Sequence, residues 1–449
     1  MLKKTAKDYL KKPMINFSDP NVWIKFAMAS IKTQSTNMGQ GFPDWGPPGF
    51  FNEFLKKNID NPNANHQYNR AFGVPHLVNS LANDYSRYFN KKIDPLNEIT
   101  VSTGGSAILY NAFTSLLNPG DEVVVIEPFY ECYLPQANFS YAKVKGVPLI
   151  PPKKRPASAY ADVTQTNLKS SINDHWQFDF KRFEETLTEK TKIVIINSPN
   201  NPTGTIYSME ELTEMARIIN KKAPNAICIS DEVYEHIYYD NHTTFPRMAN
   251  VPGMWDKTLS VYSAGKIFSC TGIRIGWAVG AEPLIKSLNV NHQYNAFCMY
   301  EPIQNTIADC LNECDKPYQG FDNYFEWYRN TYNVSRNALI SGLSTQTKLF
   351  TKPEYKMDFW MPEGAYFVVG DVSDAKVKQE FLLDGDEGKT YTLDYAYTVN
   401  FVNKVGVTII PLSIFYTPEN RHHGENFIRF SFCKKLSTIE EAVSKFNKI

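Results

Sequence analysis

The sequence has no surplus of either charge: 47 Lys+Arg stand against 47 Asp+Glu in 449 residues. That balance argues against a basic face for nucleic acid or anionic lipid. No apolar run approaches the roughly 20 residues that a membrane span needs. Cysteine is scarce and scattered, at Cys132, Cys228, Cys270, Cys298, Cys310, Cys314 and Cys433. An odd number at such spacings builds no disulfide framework and favours a reducing compartment. Cys310 and Cys314 lie one helical turn apart, but no CxxC or His pair completes a zinc site, so no metal is expected. There is no internal repeat, no low-complexity tract and no G-x-G-x-x-G after a strand. The start lacks the apolar stretch of a secretory signal. Lys3, Lys4, Lys7, Lys11 and Lys12 would suit a short transit peptide, but no Arg accompanies them and Asp8 does. The end, Phe446-Asn-Lys-Ile449, carries no retention or peroxisomal tripeptide. The expected location is the cytosol, with the mitochondrion as the alternative.

What is present is an ordinary globular composition, 43% apolar and 21% charged, with a high aromatic share of 14%. The length suggests two or three domains. Runs rich in β-branched residues at Glu98–Ser102, Glu122–Ile126, Lys192–Ile196, Ala226–Ser230, Leu259–Ser263 and Ile275–Gly280 read as strands. Most are apolar on successive residues, as strands buried on both faces are. Ser208 and Glu211 form a capping box before Leu212, Met215, Ala216 and Ile219 at helical spacing. Strands alternating with helices predict an α/β domain with a mostly parallel sheet. After Pro302 come a long helical stretch around Phe321–Ser341 and mixed strands at Ala365–Gly370, Gly406–Ile410 and Phe427–Phe432, read as a smaller α+β domain. Val147 to about Asn173 is a proline-rich loop, and Asp384–Gly388 is a polar insert.

In an open parallel sheet, ligands bind beyond the carboxyl ends of the strands. There the sequence places Thr103-Gly104-Gly105-Ser106 opening a helix, a suitable phosphate nest. It also places Glu127-Pro128-Phe129-Tyr130-Glu131-Cys132-Tyr133, Asn197 to Gly204, Asp231-Glu232 with Tyr234, and Ser263-Ala264-Gly265-Lys266 with Arg274. Each has a structural explanation taken singly. Their arrival at one edge points to a site.

Asn200-Asn201-Pro202-Thr203-Gly204, Asp231-Glu232-Val233-Tyr234 and Ser263-Ala264-Gly265-Lys266 with Arg274 resemble the class I/II pyridoxal-phosphate aminotransferases along nearly the whole chain. Gly39-Gln40-Gly41-Phe42-Pro43-Asp44, the Glu127–Tyr133 stretch and Pro411–Tyr416 resemble the kynurenine aminotransferase branch, known also as glutamine transaminase K or cysteine-conjugate β-lyase. The resemblance implies a fold-type I α/β architecture: a large domain on a mostly parallel seven-stranded sheet, with a smaller α+β domain. Expected boundaries are 1–48 for an N-terminal segment across the active site and small domain, 49–320 for the large domain and 321–449 for the small one.

The resemblance also implies roles. Lys266 would carry pyridoxal 5'-phosphate as an aldimine and shuttle the substrate's α-proton, which requires a lowered amine pKa. Asp231 would pair with the pyridine nitrogen; Asn201 and Tyr234 would bond the phenolic oxygen; Tyr130 would stack on the ring. Gly105, Ser106, Ser263 and Arg274 would hold the phosphate, joined by Tyr68 from the neighbouring subunit of a homodimer. Arg429 would clamp the substrate carboxylate. Asn201, Trp23, Gly41 and Phe297 would line the substrate pocket. The implied reaction moves an amino group from an aromatic, glutamine- or methionine-type amino acid, kynurenine included, to a 2-oxo acid. Alternatives are β-elimination from cysteine conjugates at the same site, or a protein that binds the cofactor without catalysis. Ser106-Ala107, Arg274 and Cys298 depart from residues common in the branch.

Overall fold

A computed structural model describes residues 6–18, 21–154, 174–240, 244–345, 347–383, 386, 388 and 390–448. Most of the predicted proline-rich loop and most of the Asp384–Gly388 insert lie outside the described residues. Among the described residues, thirteen strands run in chain order as β1 Thr36–Asn37, β2 Ile99–Ser102, β3 Glu122–Glu127, β4 Lys143–Pro148, β5 Thr191–Asn197, β6 Ile227–Asp231, β7 Thr258–Ser263, β8 Gly276–Gly280, β9 Asp358–Phe359, β10 Phe367–Asp371, β11 Val407–Thr408, β12 Ile410–Pro411 and β13 Phe427–Ser431.

Seven of them form the central sheet in the order β2-β8-β7-β6-β5-β3-β4. β8 alone runs antiparallel to its neighbours β2 and β7. The other pairings in this sheet are parallel. β2, β3 and β8 are buried throughout, which accounts for the apolar runs Val123–Ile126 in β3 and Trp277–Val279 in β8. The edge strand β4 was missed in the sequence because Lys143, Lys145 and Gly146 interrupt it and half of it faces solvent. Helix Met209–Lys222 carries the expected capping box, with Ser208 accepting from the Glu211 N–H and Glu211 from the Ser208 N–H.

A second, antiparallel sheet of four strands, β12-β13-β10-β9, puts Arg429 in the middle of β13 opposite Val369. The N-terminal stretch joins this part of the chain through β1, which pairs in parallel with β11. Close backbone approach fixes the seam beside the site. A Cβ on Gly276 would stand 2.5 Å from the Gly105 nitrogen, so only glycine lets β8 pass this near the turn after β2.

Two buried carboxylates follow one another at the end of β6 and face opposite ways. Glu232 turns behind the sheet, paired with Arg247 and bonded by Tyr262 Oη at 2.9 Å. Asp231 turns to the other side, so the neighbouring acids have separate tasks.

His175 links two distant parts of the chain. Its Nδ1 lies 2.8 Å from Glu363 and its Nε2 3.4 Å from Glu211. Burial opposes the charged ring, but the two carboxylates prevail and lift it to about 10. A raised folded-state pKa stabilises fully below the ordinary histidine value and the gain fades as pH climbs toward 10. His175→Gln should therefore cost roughly 2 kcal/mol at about pH 6 and nothing near pH 10. Thermal midpoints of the cofactor-free protein across that range check it; a deficit independent of pH overturns it.

Candidate active site

The carboxyl ends of β3, β5, β6 and β7 open into a cavity of about 470 Å³. Twelve of the residues named from the sequence line it: Trp23, Gly41, Gly105, Ser106, Tyr130, Asn201, Asp231, Tyr234, Ser263, Lys266, Arg274 and Arg429. Ladder register does much of this placement. Asn197 and Asp231 are direct partners across β5 and β6, and the Asn197 side chain stitches the two loops together. Its Nδ2 donates to the Asp231 carbonyl at 2.8 Å and its Oδ1 accepts from the Asn201 N–H at 2.7 Å.

Asp231 is buried, and the Tyr133 hydroxyl donates to its Oδ2. Burial pushes this carboxyl up to about 6, while Tyr133 and the Val233 N–H hold it down. It therefore ionises above about pH 6 and puts a buried carboxylate at the cavity.

Lys266 lies in the short helix Ala264–Ile267 after β7, half-buried on the cavity wall. Desolvation lowers its amine to about 8. Nζ donates to Tyr366 Oη at 2.6 Å and to the Gly41 carbonyl at 3.1 Å.

At the nest, Gly104 has φ +92°, and a Cβ there would meet Arg274 Nη2 at 2.6 Å. The guanidinium thus lies against the bare glycine, donating to the carbonyls of Thr271 at 3.0 Å and Thr103 at 3.4 Å. No side chain caps helix Gly105–Leu116, so its first N–H groups are left for an anion.

Arg429 is 1% exposed and enclosed by rings, with its guanidinium carbon 4.2 Å from Phe367, 4.9 Å from Trp23 and 5.1 Å from Phe415. Nη1 donates to Asn201 Oδ1 at 2.8 Å and Nη2 to the Gly39 carbonyl at 2.6 Å, while Nε has no partner. Burial lowers it to about 10. A buried guanidinium held by neutral oxygens and keeping a free N–H is arranged to accept a carboxylate.

Tyr68 and Phe297 fall outside the cavity. They are 82% and 46% exposed, with their rings edge-to-face at 5.2 Å on the surface of the single chain. Sequence reasoning did not single out Tyr133, Asn197, Tyr366 or Glu131 as site residues. Glu131 lines the cavity and bonds Trp23; burial pushes it up to about 7 against the pull of Trp23 and Arg429. Its neighbour Tyr130 was legible because a ring after a strand has a ready use, whereas a carboxylate in the same loop is usually solvated. Among the described residues no cluster of three or more His, Cys, Asp or Glu could hold a metal ion.

Residues 34–446 match the profile of the family described as Aminotransferase class I and II. The kynurenine--oxoglutarate transaminase of Dictyostelium discoideum is 35% identical, covering 100% of both chains. Human kynurenine--oxoglutarate transaminase 1 is 32% identical over 96% of each. Among solved structures, Bna3p from Saccharomyces cerevisiae superposes with a TM-score of 0.83 at 33% identity, covering 98% of each chain.

The lowered lysine gives a test that needs no ligand. Acetylation of the cofactor-free protein, mapped by mass spectrometry against pH, should show Lys266 reacting with a midpoint near 8, ahead of the surface lysines. A midpoint in the ordinary lysine range near 10.5 would overturn the assignment.

Proposed function

The chain belongs to the class I and II aminotransferases, which use pyridoxal phosphate, and from that membership we propose that it takes the amino group of an aromatic, glutamine- or methionine-type amino acid, kynurenine among them, and passes it to a 2-oxo acid. The donor class follows the names of the relatives and the aromatic enclosure of Arg429 by Trp23, Phe367 and Phe415.

The residues fit the cofactor. The Gly104 cradle with Arg274, Gly105, Ser106 and Ser263 would hold the phosphate. Asp231, ionised and braced by Tyr133, would keep the pyridine nitrogen protonated. Tyr130 would lie on the ring, with Asn201 and Tyr234 at its phenolic oxygen. When bound, pyridoxal phosphate withdraws into its ring the electron pair left on the donor's Cα when the α-proton departs. Lys266 accepts that proton at Nζ, where desolvation has made the amine a base at near-neutral pH.

One observation carries the reading: Arg429 and Lys266 share a cavity, the first with an unfilled N–H and the second with a lowered pKa. An α-amino acid presents a carboxylate and an α-proton two bonds apart, which matches that pair.

We further assign the active form as a homodimer in which Tyr68 reaches the partner's phosphate. Supporting this, Tyr68, Tyr294, Tyr300 and Phe297 expose rings on the single chain, with Tyr68 edge-on to Phe297. The division at 1–48, 49–320 and 321–449 belongs to the same reading. A cytosolic location agrees with seven free cysteines, and among the described residues no helix is long and apolar enough to cross a membrane.

A donor panel tests the activity. Aromatic, glutamine- or methionine-type donors should bleach the cofactor's visible band without acceptor, and a 2-oxo acid should restore it. Arg429→Lys should lower kcat/KM about 100-fold, or about 3 kcal/mol, because a point charge cannot make the two parallel bonds of a guanidinium. Bleaching by no donor would sink the proposal, and release of pyruvate, ammonia and the thiol from a cysteine conjugate without acceptor would identify β-elimination instead. For the dimer, mixing Tyr68→Ala and Lys266→Ala chains should regain activity, since half of the sites in a mixed dimer carry neither change. Persistent inactivity of the mixture contradicts the shared site.

A further inference from the structure

Tyr366 precedes β10 and is fully buried. Its backbone is held from two sides: the Ala365 N–H donates to the Ile237 carbonyl at 2.9 Å, and the Tyr366 carbonyl accepts from Phe432 at 2.9 Å. Its ring stacks on Tyr332 at 5.6 Å and meets Tyr234 edge-on at 5.0 Å. A side chain so enclosed has little freedom to move its hydroxyl.

That hydroxyl sits at a junction. It donates to the Gly41 carbonyl at 2.8 Å, accepts from Lys266 Nζ at 2.6 Å and is hydrogen-bonded with Tyr234. Lys266 Nζ has a second acceptor in the same Gly41 carbonyl, 3.1 Å away. A neutral amine owns two N–H bonds and one lone pair. With both N–H bonds directed at Tyr366 and Gly41, the lone pair takes the remaining tetrahedral direction, away from those two acceptors. Gly39, two residues before Gly41, gives its carbonyl to Arg429 at 2.6 Å. One short backbone turn therefore anchors both the carboxylate clamp and the proton carrier.

We propose that Tyr366 is a positioning residue for the α-proton transfer: anchored on Gly41, its hydroxyl holds the free Lys266 amine with the nitrogen lone pair presented to the donor's Cα. The Cα–H bond breaks and an N–H bond forms on Lys266, while the C–H electron pair would pass from Cα toward the cofactor ring. The ammonium would then give the proton up to the cofactor's carbon and not back to Cα, so the lysine leaves each half-reaction unchanged. The inference rests on the aminotransferase reading, in which Lys266 carries that proton.

Tyr366→Phe removes the hydroxyl and keeps the ring contacts. The donor half-reaction should slow roughly 10-fold or more in single turnover, while the donor KM changes less than about twofold. With α-deuterated donor the isotope effect should rise, because a misaimed lone pair makes proton transfer more rate-limiting. In the cofactor-free variant the acetylation midpoint of Lys266 should fall, since the ammonium loses an acceptor. Tyr366→Gln, whose amide oxygen can accept from the amine, should regain part of the rate. Tyr332→Phe, which removes a neighbouring hydroxyl paired with Ser269 and leaves the junction intact, should keep the wild-type isotope effect. If wild-type protein turns over but Tyr366→Phe keeps both its isotope effect and its Lys266 midpoint, the inference is overturned. If Tyr366→Phe does not fold, Tyr366→Leu, which likewise offers the amine no acceptor, decides by the same two readouts. Wild-type protein inert toward every donor would instead sink the parent reading.

Discussion

Parallel pairing of β3, β5, β6 and β7 is the constraint from which the site follows. Strands that run the same way end at the same edge, so the loops after them must meet. Register then turns this general rule into particular contacts. Asn197 and Asp231 are opposite each other in the ladder, and that single pairing lets Asn197 fasten the Asn201 turn to the end of β6. Asn201 in turn accepts from Arg429, which stands on β13 of the other sheet. A chain of three side chains thus carries the geometry of the central sheet across to the substrate clamp. The antiparallel β8 plays a complementary part, since its Gly276 lets it press against the turn that forms the anion nest.

Desolvation is the second theme. Lys266 is brought down to about 8, Arg429 down to about 10, Asp231 up to about 6 and Glu131 up to about 7. All four move toward neutrality, because a cavity walled by rings and backbone disfavours charge of either sign. Such a site is completed by the charges that a zwitterion and a phosphorylated ring would bring. By contrast Arg247, also buried, is neutralised internally by Glu232 and Glu235 and serves the scaffold. Two buried arginines differ in use because one has its counter-ions within the fold and the other keeps an N–H without a partner.

Much of this was legible in the sequence where local chemistry dictates structure. Six central strands announced themselves, most of them apolar on successive residues, and each begins and ends within a residue or two of its expected position. Residues standing directly after those strands, such as Asp231 and Lys266, could be assigned to the crevice without coordinates. What escaped was either weakly patterned or distant. β4 mixes lysines with valines at a half-exposed edge. Tyr133 looks like any helix-opening aromatic until it is seen to donate to Asp231. Tyr366 lies 100 residues from Lys266, and no spacing rule connects them.

The amino-acid sequence by itself determined the α/β class, the edge at which chemistry gathers, and the kinds of group delivered there. Periodicity and turn chemistry are local properties, and they need only neighbouring residues to act. Tertiary structure decided which of those groups touch. It set Asp231 toward the cavity and Glu232 behind the sheet, closed rings around Arg429, and brought Tyr366 and Gly41 onto one lysine. It also left Tyr68 and Phe297 on the surface of the single chain, outside the cavity. These outcomes depend on long-range packing, where burial and distance, not residue type, fix charge state and hydrogen-bond partner.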